Sequence, residues 1–431
     1  SVESPCFDFT QIERPYVSMD IWKRFDRNRD GAALQYRVGN TSSWKLVGSL
    51  DDGINWYNSV LINGDPGGSS IGWTSVGGQD TAWVNVRNKL DVLAGKKDIK
   101  FRIVYGSDGT ANENEGFAFD NFMIGSRTRN VLLEHFTNYN DIENKNANEL
   151  LNEVINNTDQ DIVNVQYHTN TEGPDDFYSD NEADVSGRML YYGLSGAPYS
   201  FVDGGINTSF AFEYDYVLNN KIDSIDLYKR SMIEPSFDID VSSQISGGVL
   251  TVTCDITAME DIEAENLTLY VLVVEKEIDF NLAPNGETVF YNVFKKMIPD
   301  AGGSDLKKDW SKDDTESYDG FSWVIENIYD TGDIEIIAFI QNNASKEVYQ
   351  SASTMQLNVP TAIPVTEEDG RSGRFAIYPN PASDYITVDF RQELEEGSVL
   401  SIHNYAGSLV FTRDLQKGVS ELRIDDPGLS E

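Results

Sequence analysis

The stretch from Val131 to Gly205 constrains the fold most, because its hydrophobic period changes from two to 3.6 and back. VLLEHFTNY opens it as a strand. In NKNANELLNEVI, Ala147, Leu150, Leu151, Val154 and Ile155 recur at i, i+3, i+4, i+7 and i+8, one apolar helix face. IVNVQYH is a second strand. DNEADVSGRMLYYG is a second helix, with Ala183, Leu190 and Tyr191 on its inner face and Gly193 as its stop. A Gly-Ala-Pro-Tyr turn then leads into SFVDGG, a third strand. EYDYVLNNKIDSIDLYK reads as a helix leading out. Strands and helices in this alternation make an α/β unit.

This order, with Pro198 just before a late strand, resembles the thioredoxin fold. More narrowly, LLEHFTNY and the Tyr191, Tyr192, Gly193, Gly196, Pro198 pattern resemble the thioredoxin-like module of Omp28-related outer-membrane and secreted proteins of Bacteroidetes-type bacteria. The resemblance implies a cis Pro198 and a Cys-x-x-Cys pair after the first strand. The matching positions hold Asp141 and Asn144. Thiol exchange needs an attacking thiolate and a resolving thiol, so no redox activity is expected. His168 would lie near the vacated redox site, with Asp141, Glu143, Asp175 and Asp176 as an acidic rim.

Residues 1–127 contain only short alternating runs between turn signals: YVSMDIW, GAALQYRV, WKLVGSL, DIKFRIVYG and GFAFDNFMIG. Such spacing indicates a β-sandwich. RDGAALQYRV, LAGKKDIKFRIVYGSD and EGFAFDNFMIG resemble jelly-roll domains of the MAM or cleaved-adhesin type. DRNRDG sets Asp26, Asn28 and Asp30 at alternate positions before Gly31, a spacing of hard oxygens that suits calcium at about 2.4 Å. Arg37 occupies the position where an EF-hand needs Glu. In the jelly-roll relatives, the Asp of the last strand's Asp-Asn pair often contributes to a calcium site, which implies Asp120 here. The same oxygens also serve an Asx-type turn. Trp22, Trp44, Trp56, Tyr57, Trp73 and Trp83 are either core and sheet-surface packing or a platform for sugars.

Residues 233–362 read as strands with sharp alternation and suggest an immunoglobulin-like sandwich. Cys254 is in phase with Leu250, Val252 and Ile256, as a buried small hydrophobe. PDAGGSDLKKDWSKDDTESYDG reads as a long solvated acidic loop. Residues 363–374 form a polar linker. From 375 to 431, FAIYPNPASDYITVDF and VLSIHNYAGSLVF closely resemble the type A sorting domain of type IX secretion cargo. The signature falls on Tyr378, Pro379, Asn380, Pro381, Asp384, Ile386 and Val388, then His403, Asn404, Gly407 and Val410.

Acidic residues outnumber basic ones 71 to 33, for a net charge of −38. That field disfavours nucleic acid and anionic membranes. Two cysteines exclude a disulfide scaffold, and no apolar run is long enough to span a bilayer. The chain is therefore expected to be mainly β in several domains: 1–127, an α/β unit over 129–232, 233–362, and a small sandwich over 375–431. The resemblances imply a secreted or surface-attached protein of a Gram-negative bacterium. They imply recognition by the secretion translocon and its outer-membrane shuttle protein, then cleavage and attachment to surface lipopolysaccharide. The expected function is non-catalytic adhesion, or protein or glycan binding, with structural calcium. The alternative is the accessory and export region of a protease or glycosidase whose catalytic domain lies upstream of Ser1.

Overall fold

The computed structural model describes residues 1–354 apart from 41, 77–81, 110–113, 157–161, 207–210 and 264. Within 355–431 it describes five strands together with Leu415 and Lys417. The chain divides into a unit over Ser1–Leu357 and a second over Asn358–Glu431. It is mainly β, with several sheets and few helices.

The N-terminal strands are β1 (Val2–Glu3), β2 (Pro15–Arg24), β3 (Gly31–Val38), β4 (Lys45–Leu46), β5 (Val84–Lys89), β6 (Ile99–Gly106) and β7 (Gly116–Ser126). They form two sheets, ordered β1-β6-β3-β4 and β5-β2-β7. Inward residues of both sheets, such as Val17, Met19, Leu34, Phe101 and Ile103, share one core with Trp56, Tyr57 and Trp73. Those three aromatics are thus packing residues. Trp83 is 54% exposed.

The middle of the chain supplies β8 (Val131–Thr137), α1 (Ile142–Asn156), β9 (Ile162–His168), α2 (Asp176–Asp180), α3 (Glu182–Tyr192), β10 (Tyr199–Ile206), β11 (Ala211–Asp215) and α4 (Ser224–Ser231). β8 and β9 are parallel in register Val131 to Ile162, and β10 runs antiparallel to β8. The exit segment expected as one helix differs. Residues 213–215 finish β11, and the Asp215 carboxylate turns the chain by accepting the Val217 and Leu218 amides. Asp223 then caps α4 through the Ile225 amide. The face of α3 also differs. Leu190 is 82% exposed, and Val185, Arg188, Met189 and Tyr192 point inward. The inward stripe contains an arginine, and this hid it from a count of apolar residues.

Then follow β12 (Phe237–Ser246), β13 (Val249–Ala258), β14 (Leu267–Asp279), β15 (Val289–Ile298), β16 (Ser304–Asp305), β17 (Thr315–Val324), β18 (Ile334–Asn342) and β19 (Val348–Ser353). β12-β13-β17 make one small sheet. The others join the middle strands in a nine-stranded sheet, β11-β10-β8-β9-β15-β14-β18-β19, with β16 against β14. The seam is parallel, with Val293 of β15 opposite Gln166 of β9. The portions 129–232 and 233–362 therefore share a sheet.

β14 explains the sharing. It is buried continuously from Leu267 to Glu275, not alternately as expected. Leu267, Leu269, Val271 and Val273 face β12 and β13, where Leu250, Val252, Cys254 and Ile256 alternate inward. Tyr270, Leu272 and Val274 face the other way and pack with Val185, Met189 and Tyr192 of α3. A strand apolar on both faces must be covered on both. The expected solvated loop also differs. Trp310 bridges Ile262 and is 2% exposed in the sandwich core.

In the second unit, β20 (Phe375–Tyr378), β21 (Tyr385–Phe390) and β24 (Glu421–Asp425) form one sheet, while β22 (Val399–His403) pairs with β23 (Leu409–Asp414). Val388 and Ile424 are buried.

Candidate functional site

The positions expected to carry a redox pair form the start of α1. One oxygen of Asp141 accepts the amides of Glu143 and Asn144 at 3.0 and 3.1 Å, which caps the helix. Asn144 is fully buried. Its side-chain nitrogen donates to Asp141 at 3.0 Å, and its oxygen accepts the Asn138 amide at 3.0 Å. The Ala197–Pro198 peptide is cis, and the Ala197 amide donates to Glu172.

The turn between β14 and β15 lies across this helix start. The Asn285 amide donates to the Tyr139 carbonyl at 3.1 Å, and its side chain donates to the Asp141 carbonyl at 3.4 Å. Glu287 accepts the Asn148 side chain at 2.9 Å. A segment more than a hundred residues downstream thus packs across the start of α1.

The acidic rim is not a rim. Asp175 is 1% exposed. Its carboxylate caps α2 through Phe177 and Tyr178 and accepts the Tyr139 amide. It also holds His168 Nδ1 at 2.9 Å. His168 Nε2 meets no polar partner among the described residues, because Phe177 and Phe290 wall the ring at 4.7 and 5.3 Å between centroids. Asp176 and Glu143 are exposed.

A second buried histidine has no signal in the sequence. Asn148 Oδ1 accepts the Thr137 hydroxyl at 2.8 Å and lies 2.9 Å from His135 Nε2. Nε2 therefore carries the proton, and Nδ1 accepts the Ser200 hydroxyl at 2.7 Å. Burial lowers the His135 pKa to about 4, so the ring is neutral. Nucleophile, base and orienting amide stand in catalytic order. Ser200 and His135 are both 0% exposed, however, and Tyr216 holds the serine oxygen at 3.0 Å. No substrate atom reaches that hydroxyl in this conformation.

Charge inside this unit is matched. Arg188 grips Glu134 through Nε and a terminal nitrogen at 2.7 and 2.8 Å, and Tyr167 and Tyr192 donate to the same carboxylate. Asp203 takes a left-handed φ of 46° ahead of Gly204 and Gly205. Its carboxylate meets Arg129, Arg230 and the Leu132 amide. Gly204 is required there, since a Cβ would come within 1.6 Å of the Lys346 carbonyl oxygen.

The expected calcium oxygens are engaged by protein groups. Asp26 pairs with Arg29 at 3.4 Å, Asn28 Oδ1 accepts the Ser59 hydroxyl at 2.8 Å, and Asp30 accepts the Asp108 amide at 3.4 Å. Asp120 lies on β7 opposite Asp20 and accepts the Asn121 amide. Among the described residues no cluster of three or more His, Cys, Asp or Glu is arranged to hold a metal. Of the sorting signature, Tyr378 ends β20 opposite Thr387. Pro379, Asn380, Pro381 and Gly407 lie outside the described residues.

These features describe a mainly β protein whose conspicuous buried groups are structural. Residues 376–431 match the family described as the Secretion system C-terminal sorting domain. The chain is a type IX secretion cargo. It engages that machinery and is exported to the surface of a Gram-negative bacterium, or released beyond it. No helix among the described residues is long and apolar enough to cross a membrane. No curated protein matches the chain. Among solved structures, HBP35 of Porphyromonas gingivalis aligns at 16% identity over 70% of this chain and 99% of that one, with a TM-score of 0.43. A protein of Agrobacterium tumefaciens aligns at 14% over 53% and 95%, with a TM-score of 0.33. A β-glucosidase of Kluyveromyces marxianus aligns at 11% over 81% and 43%, with a TM-score of 0.17. Likenesses this distant transfer no activity.

Proposed function

We propose that this cargo is a non-catalytic binding protein of the cell exterior, an adhesin or a protein or glycan receptor. In this reading 1–127 is a jelly-roll sandwich. Residues 129–232 are a thioredoxin-like unit of the Omp28-related kind that has lost its chemistry, and 233–362 are an immunoglobulin-like sandwich. Residues 363–374 link them to the sorting domain at 375–431, which the translocon and its shuttle protein read. The observation that carries the proposal is the helix start at Asp141 and Asn144, where the side chains hydrogen-bond each other and are crossed by Asn285 and Glu287. A site kept for thiol chemistry would hold thiols. The buried pairs of Glu134 with Arg188 and of Asp203 with Arg230 join α3 to β8 and α4 to β10, a structural use of charge.

The test is binding of the labelled full chain to intact cells and their shed glycans and proteins, beside a panel of protease, esterase and glycosidase substrates. Saturable binding without turnover is expected. Turnover that survives purification, with no saturable binding, would sink the proposal. The proposal also gives calcium a structural role in the N-terminal sandwich, at Asp26, Asn28, Asp30 and Asp120. A chelator is then expected to lower the melting midpoint by several degrees, since a ligand of the native state must stabilise it. An unmoved midpoint would remove the ion from the proposal.

A further inference from the structure

Against a net charge of −38, the outer face of the β1-β6-β3-β4 sheet is a local exception. Gln35 of β3 lies opposite Arg102 of β6, and Arg37 lies opposite Lys100, so these four side chains share one face. The alternate residues Leu34, Phe101 and Ile103 belong to the core. Trp44, just before β4, lies under both guanidinium groups, 4.6 Å from Arg37 and 4.4 Å from Arg102.

Little on this face neutralises the three cations. Glu3, opposite Arg102 in β1, reaches Arg37 only at 3.8 Å, and its side chain is 43% exposed. Arg102 spends its Nε on the neutral Gln35 amide at 2.9 Å, and Gln35 in turn donates to the Gly67 carbonyl at 3.0 Å. Arg37 Nε is buried with no acceptor among the described residues. Burial and the neighbouring Arg37 charge pull the Arg102 pKa below its ordinary value, against Glu3. Holding two guanidiniums together over one indole, with Arg37 Nε unbonded and Arg102 paired to no carboxylate among the described residues, costs free energy that an arriving anion would recover.

We propose that Arg37, Arg102 and Trp44 form a binding site for an acidic sugar residue, with its carboxylate or sulfate group held by the two guanidiniums. This rests on the binding-protein reading above and names the ligand class. Guanidinium forks match planar and tetrahedral oxyanions, and such charge-assisted bonds are stronger than neutral ones. The indole fixes the planes of both groups. Gly67, with φ of +68°, presses on the Gln35 amide so closely that a Cβ would come within 2.5 Å of it. With Gly68 it leaves the margin of the patch without side chains, as a flat pyranose ring needs. The acidic remainder of the protein selects against long polyanions, whose charges extend past the local patch and past a Debye length of about 8 Å. A single charged unit on an otherwise neutral glycan fits both facts.

The experiment is calorimetric titration of the full chain with three oligosaccharides alike except at one unit: uronate, sulfate ester or neutral. Binding of the uronate or the sulfate form, weakened by added salt, supports the proposal; which of the two binds identifies the source of the anion. The neutral form is expected to bind at least about ten-fold more weakly. Arg37→Gln and Arg102→Gln should each lower affinity by about ten-fold or more with unchanged melting. Equal binding of the neutral form overturns the proposal. So does unaltered affinity in Arg102→Gln, or an acidic peptide bound as tightly as the acidic sugar. If Arg102→Gln still binds cells saturably while no acidic sugar binds, this inference fails and the binding-protein reading stands. If neither protein binds cells, that reading falls too.

Discussion

Arg188 and Arg102 both lie over aromatic rings, and the protein uses them in opposite ways. Arg188 is 1% exposed and stacks on Tyr191, Tyr192, Tyr270 and Phe339. It grips a carboxylate with two nitrogens and so joins α3 to β8. Arg102 lies on an outer face over Trp44, and its closest polar partner is a neutral amide. In the first case a carboxylate meets the charge and the arginine is architecture, although Nη1 has no hydrogen-bond partner among the described residues. In the second no carboxylate pairs with the arginine among the described residues, and an anion is what the proposed ligand would supply. A paired carboxylate, more than the presence of a charged residue, separates the interior of the nine-stranded sheet from this outer face of the N-terminal sandwich.

Glu134→Ala leaves Arg188 as an uncompensated buried charge and is expected to cost about 3–5 kcal/mol, read by denaturant unfolding of the full chain. A loss below about 1 kcal/mol would mean that the rings alone carry the arginine. Next comes acid. The folded His135 has a pKa near 4, below the ordinary value of about 6.5 in the unfolded chain. Between those limits only the unfolded chain takes up the proton. This site therefore contributes a loss of stability as pH falls from about 6.5 to 4, reaching about 3 kcal/mol. His135→Gln should flatten the slope over that window, and an unchanged slope would remove His135 from the account. Asp141→Ala loses the cap of α1 and should cost about 1 kcal/mol, with no gain of thiol chemistry. Arg102→Gln is the smallest change. It should alter stability by less than about 1 kcal/mol, as half-exposed charges do. A larger cost would make Arg102 architectural, like Arg188.

Much of the fold was legible in the residues. GAALQYRV is β3 to the residue, and the spacing of Ala147, Leu150 and Leu151 places α1. The alternation around Cys254 identifies a strand with one buried face, and the thiol is buried, its pKa raised to about 12. The same reasoning failed on NLTLYVLVVE. A run buried on both faces has no period to read, and nothing local says what covers its second face. It failed on α3 because Arg188 does not count as apolar until Glu134 is known to face it. It made Asp175 an acidic rim because a carboxylate and a histidine seven residues apart show no sign of meeting.

Residue order alone carries the class of most strands and helices, the absence of thiols at Asp141 and Asn144, and the sorting motif around Tyr378. These are local properties: side-chain period, residue identity and a short motif. That β15 lies beside β9, that Asn285 covers the start of α1, and which arginines meet carboxylates emerge in the folded chain alone. Those outcomes depend on contacts between residues far apart in the chain. Their free energies come from burial and pairing that exist only after the chain has closed on itself.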